Sequence, residues 1–227
     1  MAIFGNRIIR DTDGAVLVEV TVMMTITFVF ILGAIDFLFA FYQWNMAAKA
    51  AEVGARIATV SAPVTNGFNS LSAAVVAGSV QAGDPMPTFT VTCSGNVADG
   101  SSGSCTCSGT CTGVSGYNAA AMQTIVFGRS TNNTAKTACG IPSSFYYAGM
   151  CNMFDRITPQ NVLITYRQTG LGYAGRPGGP VPTITVQLQS IPFKYFFLGG
   201  LLGFADINIP PVTTTITGED ICSSASC

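Results

Sequence analysis

Gly14-Ala15-Val16-Leu17-Val18-Glu19 opens the stretch whose reading decides the rest of the chain. From there the sequence stays apolar to Tyr42, with charge only at Glu19 and Asp36. It then turns small and polar through Ala47-Ala48-Lys49-Ala50-Ala51-Glu52-Val53-Gly54-Ala55-Arg56. Proline, the residue that breaks helices most strongly, is absent before Pro63. Residues 15–62 therefore read as one helix. At ~1.5 Å per residue, Ala15–Val60 would reach ~69 Å, about twice the thickness of a bilayer core, so a membrane span continues into a stem.

A removable secretory leader has an apolar core of only about 7–15 residues. Here Val20–Ile35 is uncharged throughout and the apolar run continues past Asp36 to Trp44, as an anchor requires. Charge does not orient it, because Arg7 and Arg10 precede the span while Lys49 and Arg56 follow it. The cysteines do. Cys93, Cys105, Cys107, Cys111, Cys139, Cys151, Cys222 and Cys227 all follow the span, and an even set on one side of a membrane reads as disulfides in an oxidising compartment. The N-terminus is then cytoplasmic and residues 63–227 lie outside. Metal ligation by Cys105, Cys107 and Cys111 is the weaker reading, since structural zinc uses four ligands in paired spacing. Cys222 with Cys227, and Cys139 with Cys151, are the nearest isolated pairs.

Composition narrows the function. The 227 residues include no histidine, which removes Ser-His and Cys-His nucleophiles and His-ligated metals. Beyond Val60, six basic residues (Arg129, Lys136, Arg156, Arg167, Arg176, Lys194) balance six acidic ones (Asp84, Asp99, Asp155, Asp206, Glu219, Asp220). A neutral domain offers no electrostatic case for nucleic acid. Asp155, Asp206, Glu219 and Asp220 show no spacing of a paired acid and base, so the reading is not an enzyme and calls for no cofactor.

Residues 63–227 read as an α+β domain with a mainly antiparallel sheet of about four strands. Short helices are expected over Leu71–Gln81, Asn118–Phe127 and part of Phe145–Ile157. Strands are expected at Pro87–Cys93, Val162–Arg167, Thr183–Gln189 and Ile207–Thr217, the last interrupted by Pro210-Pro211, which favours an edge position or a bulge. Val162–Arg167 and Thr183–Gln189 form a hairpin across the Gly/Pro-rich connection Gly170–Pro182. Within a Cys-rich insertion at about 93–151, Ser94–Gly116 is Gly, Ser and Thr rich, and reads as a loop held by disulfides.

Several residues invite specific roles. Asp36 reads as a membrane-embedded or an interfacial acid, the latter reached by water. Ala47, Ala50, Ala51, Gly54, Ala55 and Ala58 place small side chains at helical spacing, a seam for either another helix or the chain's own domain. Glu52 and Arg56 have the spacing of a solvated pair. Phe193–Phe204 is very apolar, and reads as core or as a membrane or partner contact.

The opening hexapeptide resembles type IV pilin-like precursors, which have a basic leader, a glycine before the cut and a glutamate five residues into the mature chain. Gly33-Ala34-Ile35-Asp36-Phe37, Gly54-Ala55-Arg56, Gln160–Arg167, Gly170-Leu171-Gly172-Tyr173 and Thr183–Ile191 are similar to the TadE-like pilus assembly family. The likeness covers roughly residues 7–60 and 154–217 and omits Cys93–Cys151. It implies a minor pilin-like or assembly component of a tight-adherence pilus, anchored in a bacterial inner membrane with its domain in the periplasm. The implied partners are other pilus or pseudopilin subunits, the inner-membrane assembly platform and the lipid bilayer. Two states stay open. A prepilin peptidase cuts residues 1–14 away, so that Glu19 faces the new Ala15 ammonium, or the chain is uncut and Glu19 is an interfacial carboxylate. The alternative function is a membrane-tethered binding or adhesin module.

Overall fold

The computed structural model describes residues 12–130, 132, 134–140, 145–193, 195–197, 199, 203, 207–219 and 221. The leader Met1–Asp11, Cys222, Cys227, Lys194, Asp206 and Asp220 lie outside the described residues. Helix α1 runs unbroken over Thr12–Val60, 49 residues. It starts three residues before Ala15, and its last turn closes where Ser61 N–H donates to Ile57 O at 2.9 Å, just before Pro63.

The chain divides into two units, residues 1–42 with 193–207, and residues 43–192 with 208–227. The second unit holds a five-stranded antiparallel sheet in the order β11-β8-β7-β2-β3: β2 Phe89–Gly95, β3 Gly103–Gly109, β7 Val162–Arg167, β8 Thr183–Leu188 and β11 Val212–Thr217. Smaller pieces surround it. β1 (Thr65–Asn66) pairs with β4 (Ser115–Tyr117), and β5 (Gly128–Ser130) with β6 (Phe145–Ala148). Short strands β9 (Pro192–Phe193) and β10 (Ile207–Asn208) complete the set.

Alternation builds the core. Phe89, Val91 and Cys93 of β2, Val162, Ile164 and Tyr166 of β7, and Ile184, Val186 and Leu188 of β8 are buried, while their neighbours in sequence face the other way. Phe68 packs edge-on against Phe89 at 5.6 Å and tilted on Tyr166 at 5.1 Å. The expected β7–β8 hairpin forms, with Arg167 opposite Thr183.

Three local expectations change. The supposed loop Ser94–Gly116 contains β3, paired with β2 from Phe89↔Gly109 to Gly95↔Gly103. β3 is Gly, Ser, Thr and Cys only, so no apolar alternation marks it; the ladder to β2 orders it. Phe145–Ala148 is a strand instead of a helix, and helical structure begins only at Met150–Asn152, a 3-10 turn. Aromatic residues suit a strand, and Gly149 is extended where any Cβ would strike the β5 backbone. Finally α2 is Leu71–Ala77, stopped at Gly78 instead of continuing to Gln81. By contrast α3 (Ala119–Phe127) has the expected bounds. Asn118 Oδ1 accepts from Ala121 N–H at 3.2 Å, and Gly128 ends the helix at φ 81°, a conformation glycine adopts freely.

Among the described residues three disulfides tie the domain: Cys93–Cys105, Cys107–Cys111 and Cys139–Cys151. The first joins directly opposite residues of β2 and β3. The second closes the exit from β3. The third is one of the two pairs suggested by spacing.

Candidate functional site on the anchor helix

From Val16 to Ile35 α1 is apolar on nearly every side and mostly exposed. The apolar window of the candidate span is wholly unburied, and Leu17, Met23, Ile26, Phe30, Phe37 and Leu38 are all exposed, Phe30 by 78%. Thr21, Thr25 and Thr27 return their hydroxyls to the carbonyls of Val18, Thr21 and Met23 at 2.8 Å, so no side-chain donor in this stretch needs water. A helix apolar all round belongs in lipid or among other helices. Gly14 and Glu19 are exposed in the first turns of α1, and the space where a Gly14 side chain would stand is open. The Gly14–Ala15 bond is thus helical here.

Asp36 does not face water. It is fully buried, and its carboxylate accepts from the backbone N–H groups of Phe196 and Phe197. Sequence reasoning had no means of finding that partner, which lies 160 residues away.

The second half of α1 behaves differently. Ala47, Ala50, Ala51, Ala55 and Ala58 are 0% exposed and Gly54 is buried. A Cβ on Gly54 would collide with the Met150 side chain, so this glycine permits close approach of the 3-10 turn. The chain's own domain thus covers the seam. Gln43 is held as well, its Oε1 accepting from Arg156 Nη1 at 3.0 Å. On the solvent side Lys49 pairs with Glu52 at 2.9 Å, in place of the expected Glu52–Arg56 partnership. Beyond the stem, Val64 N–H donates to the Tyr166 hydroxyl oxygen at 3.1 Å, and complete burial holds that phenol well above its ordinary pKa.

The remaining candidates do not converge. Asp155 and Glu219 are separately exposed. Asp99 accepts from Ser101 N–H and its hydroxyl, which keeps the carboxyl below its usual range, the mark of a tight turn. A cleft of about 290 Å³ beside Pro63, Phe68 and Asn118 is lined by apolar surface with a few amides and hydroxyls and without a titratable side chain.

One feature escaped the sequence reading. Thr106, Thr92, Thr165, Thr185 and Thr215 stand directly opposite one another, one per strand, across the whole outer face of the sheet. Hydroxyl contacts of 3.3 Å (Thr92–Thr165) and 3.1 Å (Thr185–Thr215) link parts of the row. The signal was present as threonines at every second position, but the row exists only once all four registers are set.

A long apolar N-terminal helix that fits a single-pass anchor, continuous with a disulfide-tied α+β domain, defines the class of protein. Residues 14–56 match the family model described as TadE-like protein, the family the sequence resembles. The matched stretch is the apolar run and stem of α1 and does not include the distal stretch 154–217. No curated protein and no solved structure matches the chain.

Proposed function

We propose that this chain is a minor pilin-like or assembly component of a tight-adherence pilus, held in a bacterial inner membrane by α1 with residues 63–227 in the periplasm. The supporting observation is the coincidence of the TadE-like match with a helical stretch that is apolar on nearly every side and mostly exposed. The stem seam is filled by the chain's own domain, so contacts with other pilus subunits and the assembly platform fall to the largely exposed stretch Val16–Ile35. Processing after Gly14 belongs to the same reading. Glu19 would then meet the new Ala15 ammonium, its own or a neighbour's, and a pair so placed sets register more than it adds stability.

The test is a photo-crosslinking residue at Phe30 in the producing cell. Adducts with other pilus subunits are expected. Adducts with none of them, in cells that assemble pili, overturn the assembly role. The intact mass of the membrane-purified chain reads the processing step, with Ala15 expected as the first residue and Met1 counting against a cut.

The adhesin alternative loses support at one of its surfaces. Ser94–Gly116 is no free loop, because β3 is paired along its length to β2 and tied by two disulfides.

A further inference from the structure

Asp36 lies in the apolar part of α1, yet it is fully buried and its carboxylate accepts from backbone donors. Phe196 N–H donates to Oδ1 at 2.9 Å, and Phe197 N–H reaches Oδ1 at 3.1 Å and Oδ2 at 3.0 Å. Successive N–H groups make an anion-binding concavity, and bonds to a carboxylate are the stronger kind. The Phe196 ring also meets Phe39 edge-on at 5.7 Å, three residues along from Asp36. The turn is therefore clipped to α1 at two points. Its rings nevertheless face outward, Phe196 being 70% and Phe197 37% exposed. In the surrounding sequence, Phe193–Phe204, the one charge is Lys194.

This combination suits hydrocarbon better than water. In water the two rings would be an exposed apolar patch, and the N–H groups could be hydrated without a carboxylate. In lipid the rings are favoured, and irregular backbone is tolerated only where the protein itself supplies acceptors. Position agrees with this. Val16–Ile35 at ~1.5 Å per residue accounts for ~30 Å, the hydrocarbon thickness, so Asp36 falls at the boundary where α1 leaves it. Aromatic rings gather at that boundary, and Tyr42 stacks on Phe39 there at 6.4 Å.

We propose that Tyr195-Phe196-Phe197 is a second membrane contact, a turn from the distal chain that seats its rings in the bilayer boundary beside α1 and is held there by Asp36. The occupant of this surface is lipid, because the rings continue the bare apolar surface of α1. The proposal rests on reading α1 as a membrane span.

Full-length protein in phosphatidylcholine vesicles with brominated acyl chains tests it. Trp44 is the sole tryptophan, so Trp44→Phe supplies a silent background. In that background Phe28→Trp reports on α1 and Phe196→Trp on the turn. Both should emit at short wavelength and be quenched, the Phe196→Trp protein most by bromines near the headgroups and the Phe28→Trp protein most by deep ones. Adding Asp36→Ala to Phe196→Trp should abolish most of that quenching, while the mass difference with and without reductant shows the disulfides still formed. Quenching in Phe28→Trp but not in Phe196→Trp overturns the turn's insertion. In that case acrylamide access means the rings face water, and shielding from both quenchers means they face protein. Quenching in neither overturns the anchor reading with it. Quenching that survives Asp36→Ala with intact disulfides overturns the role of the carboxylate.

Discussion

Between Val16 and Ile35 the apolar helix carries large side chains that mostly stay exposed, whereas the methyl groups of Ala47, Ala50, Ala51, Ala55 and Ala58 are entirely covered. Both halves are regular helix, so backbone geometry does not separate them. Side-chain size does. Methyl groups and Gly54 let Met150 and its neighbours approach the helix backbone, where close packing rewards shape. Leu, Ile and Phe on all sides would have to be wrapped completely to be buried, and lipid or neighbouring helices can do that where a domain on one side cannot. The domain therefore covers one half of the helix and leaves the other exposed.

The comparison can be broken or sharpened in order of expected effect. The covering domain depends on its disulfides, so replacing Cys93 and Cys105 together by serine should cost about 3 kcal/mol of domain stability, read from the denaturant midpoint. An unchanged midpoint would mean the β2–β3 ladder needs no staple. Next, Gly54→Leu drives a side chain into Met150 and should cost about 1–3 kcal/mol in the same assay; full tolerance would show the seam to be loosely packed. Tyr166→Phe removes the hydroxyl that accepts from Val64 N–H just past the stem, and a loss of about 1–2 kcal/mol is expected.

A pH dependence follows at smaller amplitude. Half-burial, aided by the Asp99 charge, pushes the Tyr117 phenol up to about 12, and its hydroxyl donates to Gly100 O at 3.1 Å. A folded-state pKa above the ordinary value of about 10 favours the neutral phenol. Its contribution is fully present below pH 10 and is lost as pH rises from about 10 to about 12. Tyr117→Phe should flatten that part of the alkaline limb in a thermal-melting series, and an unchanged slope would assign it to other groups. Smallest of all, Ile26→Ala in the bare half should move domain stability by no more than about 0.5 kcal/mol, while weakening recovery with other pilus components. A large fall in melting temperature there would erase the distinction between the halves.

Much of this architecture was legible because it is periodic. The uninterrupted apolar run sets α1, the strict alternation of Thr183–Leu188 against Val162–Arg167 sets the hairpin, and Asn118 and Gly128 bracket α3 by cap chemistry. β3 was not legible, since a strand of Gly, Ser, Thr and Cys differs from a loop only by its partner. β6 was missed because its aromatic run also suited a helix, until Gly149 and β5 decided otherwise.

Local composition thus determined what each segment would be: a span, a small-residue stem, alternating strands, and an oxidised cysteine set. Tertiary structure decided what each segment meets. It set Cys93 opposite Cys105, placed Met150 over Gly54, aligned five threonines across the sheet, and brought two backbone amides to Asp36. The physical reason is range. Periodicity and capping act within a turn or a strand, whereas register, close packing and a buried carboxylate's donors depend on residues far away in the chain.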